Sequence, residues 1–196
     1  VLALFTVTAL EIGEGQEYDM TFETRNDVTE DEYIEMIRLK TSVLLACALK
    51  MGAILADAPQ VDAERLYRLG EQIGLAFQLQ DDLLDVYGDP KVFGKAIGGD
   101  IVSNKKTYML INAFNRASTK QRAELSRWIN AKTFNREVKV QEVTRLYDDI
   151  GIRQLCEAKI NYYFDLARQT LSEVNVPEEN KQALSAYMDE LLHRNK

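Results

Sequence analysis

The sequence is poor in the residues from which many catalytic and structural sites are built. Its 196 residues include one histidine, two cysteines and three prolines. Cys47 and Cys156 are too few and too isolated for a disulfide framework or a zinc site, so we expect two buried or incidental thiols in a reducing cytoplasm. His193 lies near the C-terminus, where we expect a surface residue at a helix end. Chemistry that depends on zinc or on a histidine base is therefore not predicted.

Basic charge and long apolar runs are also scarce. The formal net charge is −7 and the pI is about 4.9, whereas nucleic-acid binders need a basic surface for their phosphate contacts. The most apolar run, residues 43–49, is bounded by Lys40 and Lys50 and is too short to span a bilayer. No signal peptide is visible. We expect a cytoplasmic protein without membrane insertion or nucleic-acid partners. If an acidic protein of this kind handles an anionic substrate, it must place metal ions or a few lysines at the binding site.

Helix-forming residues are abundant, and apolar positions recur at helical spacing with no sustained alternation. Thr29 and Glu32 have capping-box spacing, as do Ser118 and Gln121. The chain opens on an uncapped apolar helical run, as a fragment or a processed form would, so we expect one all-α domain or a piece of one. Helices are predicted over residues 1–22, 29–55, 62–87, 106–116, 119–131, 138–150, 152–174 and 177–194, with a loop over residues 88–104.

Asp81, Asp82 and Asp85 lie inside an otherwise apolar predicted helix. At about 100° per residue, Asp81 and Asp85 share a face one turn apart, Asp82 lies beside them, and Gln78 lies one turn earlier. Clustered carboxylates repel one another and are costly to bury, and a bound Mg²⁺ would relieve both penalties. The pattern alone is equally compatible with a solvated acidic surface.

The segment after the carboxylates is rich in glycine and lysine. Residues 93–100 read FGKAIGGD, and residues 104–107 read NKKT. A glycine-rich loop that leaves a metal-bearing helix can fold over bound phosphates, and its lysines can neutralise them. A lysine taken singly is usually a solvated surface residue. Three of them here, Lys95, Lys105 and Lys106, favour a diphosphate site over an acidic surface.

These residues resemble a known family. FQLQDDLLD (residues 77–85) followed by FGKAIGGDIVSNKKT (residues 93–107) is similar to the second aspartate-rich region of trans-isoprenyl diphosphate synthases of the farnesyl and geranylgeranyl type. GQEYD at residues 15–19 resembles that family's G-Q-x-x-D motif, and Tyr33 followed by Lys40-Thr41 resembles its Y…K-T helix. The resemblance covers at least residues 10–110, with four motifs in the family's order.

The resemblance implies a class I isoprenoid (terpenoid) synthase fold, an all-α helical bundle around a central cavity. Residues 1–196 would be the C-terminal portion of that single domain, incomplete at the N-terminus, and the protein would usually be a homodimer. The implied activity is a Mg²⁺-dependent prenyltransferase reaction that condenses isopentenyl diphosphate with an allylic diphosphate to give a trans-prenyl diphosphate. Cations around the departing diphosphate would lower the barrier, and no nucleophilic residue is required.

The family's site residues carry over to matching positions of this sequence. Asp81, and Asp85 through water, would hold Mg²⁺ on the allylic diphosphate, with Asp82 in the same metal group. The expected catalytic residues are Lys40 at the diphosphate and Thr41 and Gln78 at the reacting carbon, where oxygen dipoles would stabilise the allylic cation. The remaining substrate-binding residues are Lys95 and Lys105 at the diphosphate, and Gln16 and Asp19 on the cavity wall.

The sequence departs from the family pattern in one respect. The family's first aspartate-rich motif and its isopentenyl diphosphate site have no match here, so we expect half an active site and no turnover by this chain alone. Three alternatives to an enzyme of this type stay open: a non-catalytic or regulatory subunit of a prenyl diphosphate synthase, another class I terpenoid enzyme such as a cyclase or head-to-head synthase, and a helical scaffold with no small-molecule role.

Overall fold

The computed structural model describes residues 1–89 and 97–192. Within those ranges the chain forms α-helices and one π-helical turn, with no strand, and none of the described helices is both long and apolar enough to cross a membrane. The elements are α1 (Leu2–Phe22), α2 (Glu30–Ile37), the π-turn (Arg38–Ser42), α3 (Val43–Leu55), α4 (Gln60–Tyr87), α5 (Gly99–Ser103), α6 (Tyr108–Arg116), α7 (Thr119–Ile129), α8 (Arg136–Ile150), α9 (Ile152–Glu173) and α10 (Glu178–Leu192).

Local capping sets several helix ends where the sequence predicts them. Thr29 Oγ1 accepts from the backbone N–H of Glu32 at 3.2 Å, and Glu32 Oε2 accepts from the backbone N–H of Thr29 at 2.8 Å. Ser118 and Gln121 form the second predicted capping box at the start of α7. Gly151 ends α8 with a φ of +81°, a left-handed conformation that glycine adopts without strain. Both predicted capping boxes are confirmed.

Two predicted stretches differ from the structure. The helix predicted over residues 29–55 is interrupted by the π-turn, where the backbone N–H of Val43 donates to the carbonyl of Arg38, five residues earlier. The predicted loop over residues 88–104 contains α5, a single turn too short to display a helical period in the sequence. Residues 90–96 of that loop lie outside the described residues.

The contacts between residues group the chain into two compact units. The first, unit 1, contains residues 1–20, 34–78 and 159–192. Its core includes buried Val43, Leu69 and Phe164. A Cβ on Gly74 would lie 2.7 Å from the Cβ of Ser42, so the first half of α4 approaches the π-turn at a distance that only glycine permits.

The second, unit 2, contains residues 21–33, 79–89 and 97–158. Helices α5, α6 and α7 pack against α8 in this unit. Its core includes buried Tyr33, Met109 and Leu146. Cys156 is buried in this unit and Cys47 in unit 1, and both are free thiols, as expected of buried or incidental cysteines.

Candidate metal and diphosphate site

The predicted site residues fall into two groups, one in each unit. Helix α4 contributes to both, because Gln78 belongs to unit 1 and Asp81, Asp82 and Asp85 belong to unit 2. Asp81 and Asp85 are half-buried, and Asp82 is 2% exposed. The carboxylates on one helix therefore differ in environment, with two at the surface of unit 2 and one in its interior.

Asp82 is an interior carboxylate with defined partners. Its Oδ2 accepts a short hydrogen bond from the hydroxyl of buried Tyr33, and its Oδ1 lies 3.8 Å from Nζ of Lys105. Burial, followed by the negative charge of Asp82, raises the pKa of Tyr33 well above its usual value of 10, so Tyr33 stays protonated and donates. The tyrosine of the Y…K-T motif thus compensates part of the cost of burying this carboxylate.

Asp85 is connected to the segment that begins α5. Its Oδ2 accepts from the backbone N–H of Asp100 at 2.9 Å, and its backbone carbonyl accepts from the N–H of Gly98 at 2.6 Å. Gly98 has a φ of +79°, and a Cβ there would lie 2.7 Å from Cγ1 of Val140. Glycine at position 98 is therefore required both by the backbone conformation and by the space available.

Lys105 supplies a positive charge beside the acidic residues. Its Nζ lies 3.8 Å from Oδ1 of Asp82 and 3.7 Å from Oδ1 of Asp100, and its side chain is 35% exposed. Both separations exceed the usual length of a direct hydrogen bond. The ammonium group therefore lies between two carboxylates, in a position where a diphosphate oxygen could become a closer partner.

The turn before Lys105 is held by residues that the sequence analysis did not identify. Asn104 has a φ of +57°, its Oδ1 accepts from Nζ of Lys139 at 2.6 Å, and its Nδ2 donates to the carbonyl of Ile129 at 3.1 Å. Lys139 is fully buried, also donates to the carbonyl of Val102 at 3.3 Å, and has its pKa lowered by burial. We call Asn104 and Lys139 the Asn104 clamp, because together they fix the backbone that carries Lys105.

In unit 1, the structure pairs four of the predicted residues. Nζ of Lys40 lies 2.5 Å from Oδ2 of Asp19, and Oγ1 of Thr41 donates to Oε1 of Gln78 at 3.2 Å. Lys40 and Thr41 both lie in the π-turn, a type of backbone irregularity that is frequent at functional sites. Gln16 differs from these four, since its side chain is exposed and forms no hydrogen bond with any described residue.

The glycine of the G-Q-x-x-D motif explains how α1 approaches the π-turn. A Cβ on Gly15 would lie 2.8 Å from Cα of Lys40 and 2.9 Å from the carbonyl carbon of Leu39. The contact is therefore between two backbones, and neither can move aside as a flexible side chain could. This close approach brings Asp19, one turn further along α1, to the ammonium group of Lys40.

The donor set fits an open metal site. Asp81 and Asp85 are half-buried carboxylates one helical turn apart, and Mg²⁺ is commonly bound by one or two carboxylates together with water and substrate phosphates. Within residues 1–89 and 97–192, no three Asp, Glu, His or Cys side chains converge around a common point that could hold an ion. The buried carboxylate of Asp82 already accepts from Tyr33, so its predicted place among the metal ligands stays a prediction.

Lys95 lies outside the described residues, as do Phe93, Gly94 and His193. The predicted contact of Lys95 with a diphosphate therefore stays a prediction.

The described helices form an all-α protein in which α4 places the half-buried carboxylates of Asp81 and Asp85 in the same unit as Lys105. Residues 1–147 match the family model for polyprenyl synthetase. The chain belongs to the polyprenyl synthetase family, which confirms the resemblance found in the sequence. It is 38% identical over 193 residues to the short chain isoprenyl diphosphate synthase of Methanothermobacter thermautotrophicus, a match that covers 98% of this chain and 58% of that protein.

Solved structures of similar proteins confirm the fold. A crystal structure of geranylgeranyl pyrophosphate synthase superposes with a TM-score of 0.92 at 38% identity, covering 99% of this chain and 60% of that one. Polyprenyl synthase from Caulobacter crescentus, complexed with calcium and isoprenyl diphosphate, superposes with a TM-score of 0.90 at 26% identity, covering 100% of this chain and 59% of that one. The protein has the all-α isoprenoid synthase fold, and the chain spans about 60% of the length of these relatives.

Proposed function

We propose that this chain is part of a prenyltransferase that condenses isopentenyl diphosphate with an allylic diphosphate to give a trans-prenyl diphosphate. The observation that carries the proposal is the pair of accessible carboxylates on α4, Asp81 and Asp85, in the unit where the Asn104 clamp presents Lys105. Similar proteins support the proposal. They are isoprenyl and geranylgeranyl diphosphate synthases, and one solved relative is complexed with calcium and isoprenyl diphosphate.

The acidic residues have distinct proposed roles. Asp81 and Asp85 would hold Mg²⁺, which when bound supplies Lewis-acid stabilisation of the departing diphosphate. Asp82, buried and hydrogen-bonded to Tyr33, would hold Lys105 near the site through their ion pair at 3.8 Å. In this arrangement the interior carboxylate of Asp82 would orient a cation, and the half-buried carboxylates of Asp81 and Asp85 would hold the metal.

The lysines would bind the diphosphate directly. Lys105 and Lys95 would neutralise its oxygens in the manner typical of point-charge phosphate ligands. Lys40 would do the same, with its ion pair to Asp19 at 2.5 Å holding the ammonium group ready before substrate arrives. A cation prepared in advance loses little entropy when it meets the substrate, which increases its contribution to catalysis.

Thr41 and Gln78 would stabilise the allylic cation. Their side chains are joined by a hydrogen bond of 3.2 Å from the threonine hydroxyl to the glutamine carbonyl oxygen, which fixes both oxygen dipoles in unit 1. Such preorganised dipoles stabilise developing positive charge without having to reorient during the reaction. Gln16 and Asp19 would line the substrate cavity that the family resemblance implies.

The proposal is tested by calorimetric titration of the protein with geranyl diphosphate, a short allylic diphosphate, with and without Mg²⁺. We expect binding that requires Mg²⁺ and is lost when Asp81 and Asp85 are both changed to Asn. The matched control is Asp149→Asn, which removes an exposed carboxylate that pairs with Arg145 on α8. Equal binding without Mg²⁺, or binding retained by the double variant, would contradict the proposal.

Only one aspartate-rich motif is present in these 196 residues. We therefore propose that the chain alone binds Mg²⁺ and an allylic diphosphate but does not condense it with isopentenyl diphosphate. The alternative role of a non-catalytic or regulatory subunit predicts the same for the chain alone, but also predicts no turnover by the full-length protein. Mass spectrometry of prenyl diphosphate products, made by the chain alone and by the full-length protein, distinguishes the enzyme from the non-catalytic subunit.

We also propose a homodimer, as is usual in this family. Helix α1 exposes large apolar side chains, among them Leu2 at 78%, Phe5 at 54% and Leu10 at 70%. Apolar side chains clustered on one helix are typical of surfaces that pair with a partner. Sedimentation equilibrium should give a dimer whose dissociation constant rises at least tenfold in Leu10→Glu, and a monomer at all concentrations would contradict the proposal.

A further inference from the structure

Unit 2 contains a cavity that none of the proposed diphosphate-binding residues lines. Its volume is about 440 Å³, and it lies between residues 26–30, helix α6 and the end of α7. We call it the α6 cavity. Sites for small molecules typically enclose roughly 300–1,000 Å³, so the α6 cavity is large enough for one.

Apolar side chains line one part of the α6 cavity. Leu110 and Ile111 are buried, and Phe114 and Ile129 contribute half-buried apolar surface. Asn115, Ser126 and Asn130 add neutral polar groups. An apolar wall with a few polar groups is the usual composition of a small-molecule site.

Lys106 is the one cation lining this cavity among the described residues. Its Nζ donates to the carbonyl of Asn104 at 3.3 Å, it forms no ion pair within the described part of the chain, and burial lowers its pKa. The carboxylates that also line the cavity already have partners. Asp27 pairs with Arg25 at 2.8 Å, and Oε2 of Glu30 accepts from Nδ2 of Asn112 at 3.1 Å.

We propose that the α6 cavity binds a small amphipathic anion, a carboxylate or a phosphate monoester attached to an apolar body. The anionic group would pair with Lys106, replacing the solvation that this ammonium loses through partial burial. The apolar body would lie against Leu110, Ile111 and Phe114, where burying its surface supplies most of the affinity. The proposal does not depend on the diphosphate site, since none of the residues assigned there to the metal or the diphosphate lines the α6 cavity.

The probes for the test are octanoate, octyl phosphate and the neutral analogue octanamide. Binding is measured by titration calorimetry, and its location by ¹H–¹⁵N chemical-shift changes in the assigned spectrum of the same protein. We expect both anions or one of them to bind saturably, with the largest shifts in residues 106–115. Comparison of the affinities for octanoate and octyl phosphate shows whether the cavity prefers a carboxylate or a phosphate monoester.

Lys106→Met removes the charge and keeps an unbranched side chain, and it should weaken anion binding at least tenfold while leaving octanamide binding unchanged. Lys132→Met is the matched control, because it removes the charge of an exposed lysine that does not line the cavity. Lys106→Arg should restore anion binding. If Lys106→Met fails to fold, Ser126→Phe, which fills the cavity, should abolish binding of all three probes.

Three results would overturn the proposal: no saturable binding of either anion, equal affinity of Lys106→Met and wild type, or shifts confined to residues outside the cavity. Asp81→Asn is used to separate this site from the diphosphate site. That variant should keep full affinity for the anion probes even though it loses Mg²⁺-dependent binding of geranyl diphosphate.

Discussion

The two groups of site residues are positioned by different means. In unit 1, Lys40 and its neighbours are placed by backbone geometry, through the π-turn and the contact that Gly15 permits with α1. In unit 2, Lys105 is placed by side chains, through the Asn104 clamp and the carboxylates of Asp82 and Asp100. Adding a methyl group should therefore damage the first arrangement, and removing a polar group should damage the second.

The largest expected effect is that of removing one of the proposed metal ligands in unit 2. Asp81→Ala removes a proposed metal ligand and relieves carboxylate repulsion, so turnover of the full-length enzyme should fall by roughly 100-fold or more with no loss of folding stability. Steady-state kinetics and thermal unfolding measure the two effects. Asp149→Ala, which removes an exposed carboxylate, is the control, and near-normal turnover in Asp81→Ala would show that Asp81 holds no metal.

Adding a methyl group to unit 1 should have the next largest effect. Gly15→Ala places a Cβ within 2.8 Å of the backbone Cα of Lys40, and relief of that overlap should cost about 2 kcal/mol of unfolding free energy. Gly13→Ala is the matched control, because a Cβ there meets nothing within 4 Å, and it should be neutral or slightly stabilising. Urea denaturation measures both, and equal stability of the two variants would show that the close approach is unimportant.

Removing the hydroxyl of Tyr33 in unit 2 should lower the free energy of unfolding somewhat less than Gly15→Ala does. Tyr33→Phe leaves the buried carboxylate of Asp82 without its hydroxyl donor, which should destabilise the fold by about 1–2 kcal/mol near neutral pH. Folding raises the pKa of Tyr33, so as pH rises the tyrosine hydroxyl loses its proton in the unfolded chain before it does so in the folded one. The stabilisation that the Tyr33 hydrogen bond provides therefore declines as pH rises above about 10. The difference between wild type and Tyr33→Phe should therefore shrink above that pH, and a constant difference would contradict this account.

The smallest expected effect concerns the Asn104 clamp. Asn104→Gly keeps the left-handed backbone and removes both side-chain hydrogen bonds, so Mg²⁺-dependent binding of geranyl diphosphate should weaken by about fivefold, equivalent to roughly 1 kcal/mol. Asn104→Ala adds backbone strain and should weaken it further. If both variants bind like wild type, the clamp does not position Lys105.

The sequence was sufficient to predict most helices, while the metal and diphosphate chemistry assigned to the site residues stays a prediction. Apolar periodicity and capping pairs act locally, which is why the sequence alone indicates the capping boxes at Thr29 and Ser118. The aspartates and lysines were also identifiable by type and spacing. Periodicity did not indicate the π-turn, because its extra residue only shifts the phase of the apolar positions, and the segments before and after it each still have a helical pattern.

Long-range partners were the other part that could not be predicted. Asn104 before a lysine is a recognisable signal for a left-handed helix end. Its partner Lys139 gave no such signal, since a lysine is rarely fully buried and nothing near it in sequence indicates that it would be. The hydrogen bond from Tyr33 to Asp82 joins residues 49 positions apart, and the carboxylate pattern, which was interpreted as a Mg²⁺ site, did not indicate a tyrosine donor.

The π-turn has a consequence for how this segment tolerates changes in length. One residue of Arg38–Ser42 is surplus to an ordinary α-helix, so deleting a residue there could restore regular hydrogen bonding from α2 into α3. The repaired helix would be rotated by about 100° beyond the deletion, turning Val43 and Cys47 out of the core of unit 1. The π-turn therefore sets the rotation of α3 relative to α2, and a shorter, more regular segment would not bury the same side chains.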